Sequence, residues 1–205
     1  MHWLIPILLI FGFLIGHARH DASFVLILTI FAIIALWPLV RTLWLAKLWR
    51  VGLLFLMVGL VLSFAVAPVF AALTIALTGG AWLLADHYHY SLGRQLIIGG
   101  LAGVLPALVV EPAGLALGLW HYQAYGLYYN VPPAVALTWF CGSALIVLVL
   151  SRIVAPKFTV PTDALKTSLI ILAVATGICT AFGFWLAAIL GLLLLLYGFL
   201  ALHYL

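Results

Sequence analysis

The chain has 205 residues, of which 68% are hydrophobic and only 6% charged, with a formal net charge of +4. A soluble globular domain carries about 25% charged residues, so no water-facing domain fits this composition. The positive balance is no nucleic-acid signal; in an apolar chain a basic excess reports membrane topology.

Apolar runs of about 20 residues cross a hydrocarbon core about 30 Å thick, and they follow one another along the whole chain. Because the runs are continuous rather than alternating, they predict helices, not a barrel. The fold class expected is all-α, a single polytopic transmembrane bundle over residues 1–205. The first helix spans about 3–17; it lacks a basic n-region and a cleavage site, so it reads as a retained helix. After the loop His17–Asp21, a second helix reaches about Leu43. Arg41 to Arg50, with Trp44 and Trp49, reads as an interfacial stretch. The 35 residues from Val51 to Ala85 are too many for one crossing, and Pro68 predicts a hairpin between a third and a fourth helix.

Asp86 to Arg94 reads as a polar loop. A fifth helix is expected from about Gln95 and fades after Glu111, where Pro112 breaks it. A polar aromatic stretch, Trp120 to Asn130, precedes a sixth helix over about 132–151. The loop Ser151 to Thr162 follows, with Asp163 placed to cap the next helix. The last 40 residues fold back once near Thr180 to Gly183, making eight crossings, or seven if one short segment is re-entrant. With eight, Arg41, Lys47, Arg50, Arg94, Arg152, Lys157 and Lys166 share one side, and Arg19 alone lies on the other. That pattern puts both termini in the cytoplasm. It implies a multi-pass protein of the cell inner (plasma) membrane.

Ionisable residues at membrane depth are functional candidates by default. Of the four acids, Asp21 and Asp163 read as solvated loop residues. Glu111 stands between Leu108-Val-Val110 and Pro112. It is either an interfacial carboxylate reaching water or a carboxyl group in an apolar cavity, able to donate a proton near neutral pH. In Asp86-His87-Tyr88-His89-Tyr90 the His-x-His spacing suits a metal only on an irregular loop, since residues i and i+2 do not share a helix face. No metal is assigned. Asp86, His87, His89 and Arg94 stand as substrate-lining candidates beside the plainer reading of an interfacial belt. The richest cluster holds five aromatics and a histidine within ten residues: Trp120, His121, Tyr122, Tyr125, Tyr128 and Tyr129. It reads as a headgroup belt, or as the rim of a site for a long apolar ligand whose ring faces stabilise a developing cation. Cys141 and Cys179 sit in apolar runs and read as buried free thiols.

Glu111-Pro112, Gly118-x-Trp120, Tyr128-Tyr129-x-Val131-Pro132 and a closing Trp139 together resemble the signature of the integral membrane carotenoid-biosynthesis proteins. These include the bacterioruberin-type carotenoid hydratases and, more distantly, the small-subunit lycopene cyclases. The resemblance is specific over Glu111 to Phe140 and extends weakly to Tyr88–Leu96. The family's usual Asp is Glu111 here, its Gly before Val-Pro is Asn130, and its Asn-Phe is Val135-Ala136.

The resemblance implies an acid-initiated hydration or cyclisation of a terminal C=C bond of an acyclic carotenoid. It makes Glu111 the catalytic proton donor and needs no cofactor. It makes Trp120, Tyr128, Tyr129 and Trp139 substrate-binding residues, and the aromatic cluster read as a rim adds His121 and Tyr122. The partners expected are the lipid bilayer and a long apolar polyene, with a homo-oligomer or membrane complex open. The alternative is a non-enzymatic membrane subunit that binds a carotenoid, lipid or quinone. A metal-dependent oxygenase lacks its repeated His motifs, and a retinal receptor lacks a lysine in the middle of a late helix.

Overall fold

The computed structural model describes residues 4–17, 91–123, 126–153 and 162–204. These form five helices: α1 (Leu4–His17), α2 (Leu92–Ala116), α3 (Pro133–Ile153), α4 (Thr162–Ala181) and α5 (Trp185–Tyr204). The Arg41–Arg50 stretch and the hairpin expected at Pro68 lie outside the described residues, as do most of the second, third and fourth predicted helices.

Helix α4 is the axis. Its residues from Ile171 to Cys179 are all buried, and α1, α2 and α5 pack against it while α3 packs on α2. Small residues set the close approaches. Gly12 and Gly16 of α1 are four apart and meet Val174 and Ala181 of α4, while Gly177 sits against the α1 backbone. A β-carbon at Gly12 or Gly177 would overlap the opposing main chain. Between apolar helices in lipid, such backbone proximity gains the dispersion contact that exclusion of water supplies elsewhere. Gly99, Gly100 and Gly103 of α2 likewise receive Val147, Phe140 and Ser143 of α3, and Gly191 and Gly198 of α5 receive Thr176 and Leu169 of α4.

These contacts fix directions. Gly12 to Gly16 advances with Val174 to Ala181, so α1 and α4 are parallel. Gly99 with Val147 and Gly103 with Ser143 make α2 and α3 antiparallel, and Gly191 with Thr176 and Gly198 with Leu169 do the same for α4 and α5.

The outward faces are apolar. Ile7, Ile10 and Leu14 of α1 are about 60% exposed, as are Leu186, Leu193 and Leu196 of α5. The 25-residue α2 and the 19-residue apolar run of α5 are long and apolar enough to cross a membrane. A bundle that shows leucine and isoleucine outward is built for hydrocarbon.

Several boundaries differ from those expected. Helix α2 starts at Leu92 and continues through Pro112 to Ala116, so Arg94 is a helical residue and Glu111 lies inside the helix rather than at its end. Asp163 lies within the first turn of α4. Cys141 is exposed and only Cys179 is buried; both are free thiols. The fold-back expected near Thr180–Gly183 is there: α4 ends at Ala181 and α5 begins at Trp185.

Two helix ends share one device. Gly118 (φ 68°) and Gly183 (φ 71°) are left-handed. Around the first, Gly118 N–H bonds to Leu115 O and Leu119 N–H to Gly114 O; around the second, Gly183 N–H bonds to Thr180 O and Phe184 N–H to Cys179 O. Each is a Schellman cap, which satisfies carbonyls the helix leaves open and needs a residue tolerant of positive φ.

Candidate functional site

Proline 112 governs the local chemistry. It has no N–H to give the Leu108 carbonyl four residues back, and that carbonyl accepts instead from the Tyr128 hydroxyl at 2.7 Å. The neighbouring Val109 carbonyl takes the Cys179 thiol of α4 at 3.4 Å. With the freed carbonyl satisfied from outside, the helix runs on through Pro112, and the break expected there does not occur.

One turn further, the Gly118 cap reverses the chain and lays the Trp120 ring over Gly114, where a β-carbon would overlap it. The reversal returns Tyr122 to the helix it has just left. Its hydroxyl donates to Glu111 Oε2 at 2.5 Å. From α3, the Trp139 indole N–H donates to Glu111 Oε1, also at 2.5 Å. The Trp120 indole bears on the same carboxyl group as a third aromatic donor, outside strict hydrogen-bond geometry. Glu111 is 1% exposed. Among the described residues, the groups acting on it are these three aromatics, and no cation is paired with it.

The second half of the stretch braces the first. Tyr128 and Val131 face each other, with Val131 N–H bonded to Tyr128 O. The two residues between them, Tyr129 (φ 47°) and Asn130 (φ 63°), are both left-handed. Two successive positive φ angles define a type I′ turn, in which Asn is among the few residues at ease. Asn130 therefore keeps the conformation that a glycine would provide. Tyr129 is the strained member, and its contacts hold it. Its ring stacks on Phe184 with centroids 4.5 Å apart, and its hydroxyl accepts the Leu186 N–H at 2.9 Å. That N–H is one of the open donors at the start of α5. The turn thus ties α2, through Leu108, to the α4–α5 corner.

The predicted site residues divide cleanly. Glu111, Trp120, Tyr122 and Trp139 come together. Tyr128 and Tyr129 sit beside them and hold the backbone. His121 is exposed on the surface. Arg94 is exposed in the first turn of α2, about 25 Å along the helix from Glu111 at about 1.5 Å per residue. Neither His121 nor Arg94 contributes a contact to the carboxyl. Asp86, His87 and His89 lie outside the described residues, as does Tyr125. Among the described residues no three His, Cys, Asp or Glu side chains gather to hold a metal. Sequence reading missed Gly114, Cys179, Phe184 and the Leu108 carbonyl. The last had a signal, since a proline inside a helix always leaves the carbonyl four residues earlier without a donor.

Outside the helices, the Tyr122 phenol is pushed well above its ordinary range, by burial first and by the Glu111 carboxyl second. Burial likewise pushes up Tyr128. Both hydroxyls keep their protons across physiological pH.

A family model described as "Carotenoid biosynthesis protein" matches residues 57–197. That span covers more than half of the chain and includes Glu111, Trp120, Tyr122, Tyr128, Tyr129 and Trp139. No curated protein and no solved structure matches the chain.

Proposed function

We propose that this chain, which belongs to the carotenoid biosynthesis protein family, is a membrane enzyme that hydrates a terminal C=C bond of an acyclic carotenoid, with Glu111 as the acid. The observation that carries the reading is a buried carboxyl group with no paired cation and an aromatic donor on each oxygen. An uncompensated carboxylate in an apolar interior is costly, and in this reading the neutral acid is the reactive form. Neutral acid in a dry site is what protonation of an alkene requires.

The chemistry balances without a redox partner. The electron pair of the terminal C=C takes the Glu111 proton at its less substituted carbon, leaving a tertiary carbocation on the other. The rings of Trp120, Tyr122 and Trp139 supply negative faces for that cation. A water oxygen bonds to the cation and loses a proton, and the Glu111 carboxylate regains one. The sum is addition of one water. In cyclisation a second C=C would close on the cation and a proton would leave, with water kept out. Hydration is favoured here because Tyr122 is flanked by the exposed His121 and Gln123, which bring water to the edge of the site.

The topology supports a placement. Val109 meets Cys179, and Tyr129 meets Phe184 and Leu186, so the C-terminal ends of α2 and α4 share one end of the bundle. Arg94, Arg152 and Lys166 then lie at the opposite end, near the start of α2, the end of α3 and the start of α4. By the positive-inside tendency that end is cytoplasmic. The site then opens to the outer side of an inner membrane that the chain crosses several times, with both termini inside.

A second reading has its own observation. Both Glu111 oxygens are already hydrogen-bonded, as in a structural clamp, which suits a subunit that binds a carotenoid without altering it. Expression in cells that accumulate an acyclic carotenoid such as lycopene separates the two. The enzyme reading expects tertiary-alcohol products that disappear with Glu111→Gln. Unaltered pigment that copurifies with the protein supports the clamp.

A further inference from the structure

The two donors on Glu111 are not equivalent. An indole N–H can donate but cannot accept. The Trp139 bond at 2.5 Å therefore commits Oε1 to accepting, whatever the protonation state of the carboxyl group. A phenol hydroxyl can donate or accept. The Tyr122 oxygen, 2.5 Å from Oε2, serves the carboxylate as donor and the neutral acid as acceptor. The mobile proton consequently resides on Oε2, on the side of Tyr122.

Tyr122 also stands at the boundary of the site. It is partly buried, and its neighbours His121 and Gln123 are exposed. Glu111 itself is 1% exposed, with the buried Trp120 and Trp139 beside it. Of the three aromatic side chains around Glu111, Trp120 and Trp139 are buried and Tyr122 alone is partly exposed, which makes its side of the carboxyl group the natural route to water.

We infer that Tyr122 is the proton relay that reloads Glu111 between turnovers, and that Trp139 is a positioning residue that selects Oε2 as the atom carrying the proton. The reloading step conserves atoms and charge. The Tyr122 O–H bond breaks as its proton passes to Glu111 Oε2, and the phenol oxygen takes a proton from water at the surface in the same movement. Tyr122 ends as it began, and the proton released when water adds to the carbocation has returned to the acid. This inference rests on the reading of Glu111 as the acid, and it changes the role of Tyr122 from lining the substrate to moving its proton.

Infrared spectroscopy tests it without substrate. The chain has four carboxyl side chains, so a protonated-carboxyl band lost in Glu111→Gln is assigned at once. The purified protein in detergent is diluted into D2O and the shift of that band is followed in time. Tyr122→Phe, which keeps the ring and deletes the relay atom, is expected to slow the exchange at least tenfold. Trp139→Phe is expected to move the C=O stretch while leaving the exchange rate within about twofold of the parent. A parent rate in Tyr122→Phe overturns the relay while leaving the acid reading intact. Equal slowing by Trp139→Phe also overturns it, because the effect would then belong to packing. If no protonated-carboxyl band depends on Glu111, the acid reading fails and the relay fails with it.

Discussion

Replacing Tyr128 with Phe removes one oxygen, and the structure says which atom is left short. The Leu108 carbonyl has no helical donor because residue 112 is proline, and the Tyr128 hydroxyl is its hydrogen-bond partner at 2.7 Å. A partly buried carbonyl stripped of its donor costs about 1–2 kcal/mol, the lower part of the range for a fully buried group. The same hydroxyl deletion should cost little once residue 112 has an N–H of its own. In Pro112→Ala the restored main-chain donor takes over Leu108 O, so Tyr128→Phe in that background is expected to cost below about 0.5 kcal/mol. The coupling energy of the double-mutant cycle is then about 1–2 kcal/mol, above the scatter of about 0.5 kcal/mol for independent sites. Reversible unfolding in mixed micelles, titrated with SDS and followed by tryptophan fluorescence, measures all four free energies. If the two substitutions simply add, Tyr128 does not replace the donor missing at Pro112.

Three further outcomes follow from the same geometry. A methyl group at Gly114 overlaps the Trp120 ring, so Gly114→Ala is expected to destabilise by about 1–3 kcal/mol and to displace Trp120, read as a shift in its fluorescence against a Trp120→Phe control. At Asn130, with φ 63°, Gly is expected to be neutral, whereas Val costs about 1–2 kcal/mol for a left-handed β-branched residue, measured in the same unfolding titration. Tyr122 and Tyr128 hold their phenol protons more tightly in the folded chain than the ordinary value of 10.0. Their stabilising contribution is therefore full below pH 10 and declines as pH rises above it, since the unfolded chain ionises first. Phenolate absorbance developed near pH 10 should accordingly be unchanged by Tyr122→Phe.

Much of the helical framework was legible because lipid-facing helices must be apolar without interruption. The break at Gly183 and the bounds of α1, α3 and α4 were readable to within a few residues. The course of α2 was not. Pro112 signals a stop by local rules, and what overrules it is a hydroxyl 16 residues later in sequence, brought back by a turn whose central Tyr129 is itself improbable there. The fate of Glu111 was undecidable for a similar reason. Apolar neighbours on one helix do not say whether a carboxyl reaches water; Tyr122 and Trp139, from a loop and from another helix, decide it. Polarity alone drew His121 and Arg94 toward the site, yet both are exposed, one at the surface and one in the first turn of α2. Cys141 shows the converse: an apolar run in a membrane helix has an outward face, and a thiol can lie on it.

The central claim is that the Glu111 proton ends on a carotenoid carbon and that water supplies the new oxygen. The direct test is turnover by the purified protein with an acyclic carotenoid in D2O enriched in oxygen-18, with products read by mass spectrometry. The account predicts a product carrying one deuterium on carbon and one oxygen-18 in a tertiary hydroxyl, with no such product from Glu111→Gln. Formation of the same labelled product by Glu111→Gln at the parental rate would contradict it.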